Sequence, residues 1–299
     1  MATHPTPSQT DNSSNPLFEE LIVRKMPFEF ADDIRPHWNP AKVEWSHMVN
    51  GASLAMPYLE PFLMRTLSKA VKQIESDQLR REVKWYMQQE GQHYQQHRKF
   101  NDTLIQNGYT ELVEIEHLMQ ETYQQLEKRR SHKFCMAYAA GFESMALAVG
   151  HWLINDRKFL FEGSDARVAS LILWHFVEEI EHKNVAFDAY QAVYGGYFTR
   201  VYAMFYATLH VMKFSRLAYK VMLKKDGLWN KLSSRWKLMK MISLFTRKVL
   251  PKMLLSCMPF HHPSHIEDPQ WYTDWLNLYQ QSDEAVALLD TQRLAAARL

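Results

Sequence analysis

Cysteine is nearly absent from this chain: Cys135 and Cys257 are the only two, far apart and in no Cys-x-x-Cys spacing. A disulfide scaffold and a thiolate zinc finger are thereby excluded, and a reducing, cytoplasmic setting is expected. Glycine, at nine residues, and proline, at twelve, are also sparse in a chain of 299, while Met, Leu, Ala, Gln, Glu and Lys are plentiful. That balance favours helix over sheet. No alternating strand pattern of useful length occurs, and no repeat of roughly 20–50 residues. Long apolar runs are missing too. None reaches the roughly 18 uncharged residues of a membrane span, and His210 and Lys213 break the best stretch. The opening "MATHPTPSQTDNSSNPLFEE" has no apolar signal core, and residues 1–22 are expected to form a disordered tail.

Acid is scarce in one region. Between Tyr197 and Leu255 there are thirteen Lys or Arg against a single acid, Asp226. The local balance of +12 leaves the rest of the chain at −10, given a whole-chain charge of +2. Residues interleaved with the cations are Met, Leu, Phe, Tyr and Trp, as in "WNKLSSRWKLMKMISLFTRKVLPKMLL". Basic and apolar groups mixed at helical spacing suit an anionic membrane surface or a lipid-like ligand better than a phosphate backbone. No nucleic acid is expected. The plainer alternative is a set of helices docked on the main body with their Lys stems snorkelling outward.

What is present is helical periodicity. It is expected from near Pro57 to Glu75, from an Asp77 cap to Asn107, and from Glu111 through an interruption near Ser131 to Phe161. A further helix capped by Asp165 is expected to run to Tyr194, followed by basic helices to about Leu255, a "PFHHPSHIEDP" loop and a last helix from Trp271 to Ala296. Residues 23–196 then form a helical bundle, and 197–299 form helices packed on it within a single domain. Arg24 to Pro40, "RKMPFEFADDIRPHWNP", reads as irregular structure or a short strand.

Within this pattern two stripes carry chemistry. Val168, Leu171, His175, Glu179, His182, Ala186 and Ala189 fall within roughly 80° on one helix, as do Val83, Tyr86, Glu90, His93, His97, Asn101 and Leu104 on another. Each stripe is apolar at its ends and Glu/His in its middle, and each contains Glu-x-x-His: Glu90 with His93, Glu179 with His182. That spacing puts a carboxylate and an imidazole one turn apart, within reach of one metal ion. Polar groups set into a core-facing stripe must be paired. A dinuclear carboxylate site also needs one Glu from each of two further helices. Glu60, among Met56, Leu63, Met64 and Leu67, and Glu143, among Met136, Ala139, Ala146, Leu147 and Gly150, supply them. Their order along the chain is that of two helical hairpins joined by a longer crossover. The expected fold is thus an all-α, ferritin-like four-helix bundle with additional C-terminal helices.

The other polar residues have less definite roles. His97 and His175 face the same centre as extra ligands or as partners of ligands. Glu178, at the stripe edge, is a candidate base or a hydrogen-bond partner of a ligand imidazole. Tyr86 and Trp174 flank the site as redox-active aromatics or plain core. Glu181 and Lys183 point away. His151 and His132 have no evident partner. The small residues Ala139, Ala146 and Gly150 leave room for a substrate pocket or for close helix packing.

The stretches "MQQEGQHYQQHRKFN", "AGFESMALAVGHWL", "WHFVEEIEHKNVAFDAY" and "PFHHPSH" resemble the bacterial family described as predicted metal-dependent hydrolases, over about Arg24 to Tyr272. The resemblance implies hydrolysis, with Glu90, His93, Glu143, Glu179 and His182 at the family's metal-motif positions. Glu60 departs from its Pro-x-Gly-Glu context, reading "MPYLEP".

A donor set of carboxylates and imidazoles without thiolate suits two divalent ions, with iron expected and manganese or zinc as alternatives. The first expectation is a di-iron oxygenase or oxidase acting on an apolar small molecule or lipid-like substrate, with a redox partner. The alternatives are a metal-dependent hydrolase using a metal-activated water and a non-catalytic metal-binding protein. A homodimer and a peripheral contact of residues 197–255 with the inner membrane face complete the expectations.

Overall fold

A computed structural model describes residues 21–31, 33–292 and 294. The expected disordered tail lies, but for its last residues, outside them. All regular structure among the described residues is helical: α1 Val43–Ser53, α2 Met56–Ala70, α3 Asp77–Gln106, α4 Leu112–Arg129, α5 His132–Asn155, α6 Arg157–Phe161, α7 Ala166–Glu181, α8 Val185–Val193, α9 Tyr197–Lys225, α10 Leu232–Ser256, α11 Gln270–Gln281 and α12 Asp283–Ala287. The chain is all-α, as its composition requires.

Side-chain caps define several starts. Ser131 Oγ accepts from Phe134 N, so the interruption near Ser131 is the true start of α5. Asp165 caps α7 by accepting from Arg167 N. At α3 the cap is Ser76, which accepts from Leu79 N, and Asp77 is the first helical residue instead. Each such cap stabilises its helix by about 1 kcal/mol. Pro57 sits in the first turn of α2, but Pro61 lies inside the helix, where it has no N–H to donate.

α5 carries the fold. Nearly all of it is buried, because α2, α7, α8, α9 and α10 all pack against it. A helix apolar all round belongs at such a centre. α2 pairs with α3, and α5 with α7 and α8, with further contacts of α2 with α5 and α3 with α7. These four positions make the bundle. α9 and α10 lie on the outer side of α5 and also touch α1.

Small residues serve helix approach in this interior. A Cβ on Gly141 would lie 2.5 Å from Met204 Cα on α9, and one on Gly150 would lie 3.2 Å from the Phe176 ring on α7.

Three expectations are corrected. The described residues from Arg24 to Pro40 are irregular, as expected, but helix begins before Pro57, with α1, which no periodicity announces. Its polar residues Glu44, Ser46, His47 and Asn50 are buried along with Trp45 and Val49, so it has no solvent face to make a stripe. Gly51 sits within it because a Cβ there would meet Ser215 O at 2.5 Å. The helix expected from Asp165 to Tyr194 is broken at residues 182–184, with no Gly or Pro to mark the break. The last helix divides at Ser282, which caps α12; the expected extension to Ala296 runs beyond Leu294 into residues outside the described ones.

Candidate metal centre

Glu60 comes from α2, Glu90 and His93 from α3, Glu143 from α5, Glu179 from α7, and His182 from the turn that ends α7. All six are buried, and all converge between the four bundle positions. Ligand atoms of Glu90, Glu143, Glu179 and His182 lie within 4.8 Å of one another, as do those of Glu60, Glu90 and His93, and those of His93, His175 and Glu179. Glu90 and Glu179 thus belong to groups on both sides.

Separations distinguish metal-ligand geometry from hydrogen bonding. Two donors at about 2.0–2.2 Å from one ion stand roughly 3–3.5 Å apart, whereas a hydrogen bond draws its atoms to about 2.6–3.0 Å. His182 Nε2 stands 3.5 Å from Glu90 Oε1, 3.5 Å from Glu143 Oε2 and 3.4 Å from Glu179 Oε2. His93 Nδ1 stands 3.9 Å from Glu90 Oε2 and 3.8 Å from Glu179 Oε1. The two oxygens of Glu90 therefore face different imidazoles, and so do those of Glu179.

These atoms have no other use. Both oxygens of Glu60, Glu90 and Glu179, together with Glu143 Oε2, His93 Nδ1 and His182 Nε2, are buried without a hydrogen-bond partner. An orphaned buried carboxylate costs several kcal/mol, so a cluster of them is stable only around cations or protons. The residues fit divalent cations, whose charge the four carboxylates would balance.

Hydrogen bonds on the outer side aim the imidazoles inward. Gln89 Nε2 donates to Glu181 Oε2 at 2.6 Å and to Ile22 O at 2.9 Å. Its Oε1 must then accept from His182 Nδ1, 3.0 Å away, which leaves the Nε2 lone pair facing the carboxylates. His93 Nε2 lies 2.9 Å from Glu178 Oε2, and Glu178 Oε1 accepts from Arg24 at 3.0 Å. With Glu178 ionised, His93 donates from Nε2 and turns the Nδ1 lone pair inward.

Arg24 is itself fully enclosed. It also meets both oxygens of Glu181 at 2.8 Å and lies over the Trp275 and Tyr279 rings of α11.

A second chain of bonds settles the relation of His97 to His175. Asn101 Nδ2 donates to Ser53 O, so Ser53 Oγ donates to Asn101 Oδ1 at 2.7 Å. Ser53 Oγ must then accept from His97 Nδ1 at 2.8 Å. A neutral His97 accepts at Nε2 from His175 Nδ1, 2.7 Å away. Burial holds His97 well below the usual imidazole range, which keeps it neutral. His175 Nε2 is left as a lone pair 3.1 Å from Glu179 Oε1, and its ring stacks on His93 at 4.3 Å.

Titration behaviour follows from crowding like charges. Burial and the neighbouring Glu179 and Glu143 push Glu60 and Glu90 well above the ordinary carboxylate range. Burial, then Glu179, pushes Glu143 up to about 7. Burial presses on Glu179 as well, but the facing His182 and His175 together hold it well below the ordinary range. Glu178 rises to about 8 through burial, against the pull of Arg24. Tyr86, whose hydroxyl donates to Glu143 Oε1 at 2.6 Å, is pushed well up by burial and that carboxylate.

The remaining expected residues separate. Trp174 packs its edge against His93 at 4.8 Å. Glu181, expected to point away from the stripe and to be solvated or paired with a neighbouring helix, is paired with Gln89 of α3 and with Arg24. Lys183 does face away, to Asp268 at 2.6 Å. His132 finds Thr66 O and the Tyr194 hydroxyl, both at 2.9 Å. Arg24, Gln89 and Ser53 escaped the sequence reading: Arg24 lies in irregular chain, Gln89 is one more Gln in a Gln-rich helix, and Ser53 lies on the unannounced α1.

One further His/carboxylate group lies elsewhere. Asp226, which follows α9, brings together His37 and His47.

A family model described as predicted metal-dependent hydrolase matches residues 22–267, most of the chain. The chain belongs to this family. No curated protein and no solved structure gives a significant match. Membership of the metal-dependent hydrolase family and the buried Glu/His clusters together support metal dependence.

Proposed function

We propose that this member of the family is a dinuclear metal-dependent hydrolase of a small molecule. The observation that carries the reading is the set of unpartnered, inward-facing donors of Glu60, Glu90, His93, Glu143, Glu179 and His182. Glu143 and His182 would hold one ion and Glu60 and His93 the other, with Glu90 and Glu179 each offering one oxygen toward His93 and one toward His182. His175 Nε2 would join the His93 side, because it lies 3.1 Å from Glu179 Oε1 and its donor groups with those of His93 and Glu179; His97 is its hydrogen-bond partner and not a ligand. A bound divalent pair supplies Lewis acidity and a water acidic enough to attack at neutral pH.

The chain's own residues do the rest. Tyr86 occupies Glu143 Oε1 and so reserves Oε2 for the centre. Gln89 holds His182 in one tautomer. Glu178 has both oxygens engaged, by Arg24 and His93, so it acts as a positioning residue for His93 in preference to the base role. Such partners of ligand imidazoles typically matter by about 10–100-fold in metal affinity.

A second reading is oxidative chemistry at two irons. It is favoured by the complete burial of Glu60, Glu90 and His93, since a site closed to bulk water suits dioxygen. Isotope labelling separates the two. The metal-loaded protein is assayed with nitrophenyl esters and phosphodiesters in 18O-labelled water, and apart from that under 18O-labelled dioxygen. Label entering product from water, with no oxygen consumed, supports hydrolysis. Oxygen uptake by an iron-loaded protein, with no ester or phosphodiester cleaved, overturns it.

A further inference from the structure

α10 is a helix with very little inside. Of its length Ser234, Leu238, Val249, Met253 and Ser256 are buried, and they share one face toward α5 and α1. Its outer side is not the polar face that a docked helix presents. Leu232, Trp236, Met239, Leu250 and Leu254 are all exposed, and at 100° per residue they fall within roughly 60° of arc. α9 repeats the design. Phe198, Tyr202, Leu209 and Met212 are exposed and lie within roughly 80° on the side opposite its buried face.

The start of α9 lies beside the end of α10: Tyr197 hydroxyl donates to Cys257 O at 2.7 Å and Arg200 to Ser256 O at 2.6 Å. Phe198 at that corner is 84 % exposed, and Phe260, just beyond α10, is 93 % exposed. Exposed apolar groups scattered singly are ordinary, but aligned stripes with aromatic ends are not.

Charge identifies the occupant. Nine of the thirteen cations of this region fall into two sets. Lys225, Lys237 and Lys248 are paired with Glu111, Glu44 and Asp156 of the body. Lys213, Arg216, Lys224, Lys231, Lys240 and Arg247 have no carboxylate partner among the described residues, and all are exposed. Lys240 and Arg247 lie within roughly 80° of the centre of the α10 stripe, and Lys213 and Arg216 continue the α9 stripe along its second half. A second copy of the chain would bring this cationic face against itself, whereas anionic lipid headgroups over an apolar layer match both components. No described helix is long and apolar enough to cross a membrane, so the contact lies on the surface.

We propose that the outer faces of α9 and α10 form a peripheral docking surface for an anionic lipid bilayer. Phe198, Trp236, Leu254 and Phe260 enter the headgroup boundary, and the unpaired Lys and Arg contact lipid phosphates.

The test is co-sedimentation of the full-length protein with vesicles of equimolar phosphatidylglycerol and phosphatidylcholine, or of phosphatidylcholine alone. Binding to the anionic vesicles only is expected, weakening at least about tenfold between low and high salt. Phe198→Ser with Phe260→Ser, and independently Lys240→Glu with Arg247→Glu, should each lower it by a similar factor. All four positions are exposed, and an unchanged helical circular dichroism spectrum identifies folded variants. The proposal is overturned by absence of binding to anionic vesicles, by equal binding to both vesicle types, or by variants that bind as the parent does. It is equally overturned by a concentration-dependent dimer that the stripe variant dissolves without any vesicle binding.

Discussion

The His/carboxylate cluster in the bundle and the one around Asp226 teach by contrast. At the corner of α1, α9 and the irregular segment before α1, Asp226 Oδ2 accepts from His37 Nε2 and from His47 Nε2 at 2.6 Å each, and Oδ1 accepts from the Tyr109 hydroxyl at 2.8 Å. Every carboxylate oxygen is satisfied, and the atoms stand too close to share an ion. In the bundle, His182 Nε2 keeps 3.4–3.5 Å from three carboxylate oxygens and has no hydrogen-bond partner. Composition alone does not separate the two groups. What separates them is whether the lone pairs already have donors.

The largest effect that would break this contrast concerns the bundle cluster. Glu179→Ala or His182→Ala should lower metal affinity on the order of 100-fold or more, above the range for partners of ligands, as read by elemental analysis after dialysis. Glu60→Ala should leave one ion in place of two, because Glu60 belongs to one side only. Retention of two ions by all three variants would remove the assignment.

Next is Arg24→Gln. Arg24 is what draws the buried Glu178 toward ionisation; without it the carboxyl rises further above about 8, keeps its proton and donates to His93 Nε2, which reverses the imidazole. Metal affinity should drop by about 10–100-fold, and replacement by Lys should restore part of it. Isothermal titration with Mn2+ or Zn2+ reads both.

The pH responses of the two groups should have opposite sign. Burial raises Glu143 from 4.5 to about 7 in the metal-free fold, so that fold binds the proton more tightly than the unfolded chain does. Its stability therefore declines as pH climbs from about 4.5 to about 7, by roughly 3 kcal/mol in the limit, and added metal should abolish the decline. Asp226 is depressed to about 2, the His47, His37 and Tyr109 donors outweighing its burial. Its stabilising contribution is present above about 4 and lost as pH falls through about 2. Partial exposure makes that change the smaller one. Calorimetric melting across pH, with and without metal, reads both.

The smallest expected effect is Asp226→Asn. It should cost about 1–2 kcal/mol through the loss of charge-assisted bonds while leaving metal content unchanged. A loss of bound metal in that variant would show that the corner holds an ion after all.

Much of the centre was legible because helical spacing is a physical ruler. Glu90 with His93 and Glu179 with His182 share faces at one-turn separation, and a polar set interrupting an apolar stripe has to be paired. The solitary Glu60 and Glu143 were legible for the same reason, each the one charge on an apolar face. Yet His182 closes its helix where a continuous helix was expected, and α1 was invisible because it is enclosed on all sides.

By itself, then, the sequence determined the helical class, the four-glutamate, two-histidine centre and the cationic, apolar character of α9 and α10, since each rests on composition or on a period of 3.6. Tertiary structure decided what depends on partners distant in sequence. Arg24 and Gln89 set the direction of His93 and His182, Ser53 and Asn101 make His97 a donor to Ser53 and turn the His175 lone pair inward, and Asp226 is satisfied by imidazoles from a segment far away. A hydrogen bond has a direction only when both of its ends are known, and no local pattern carries that information.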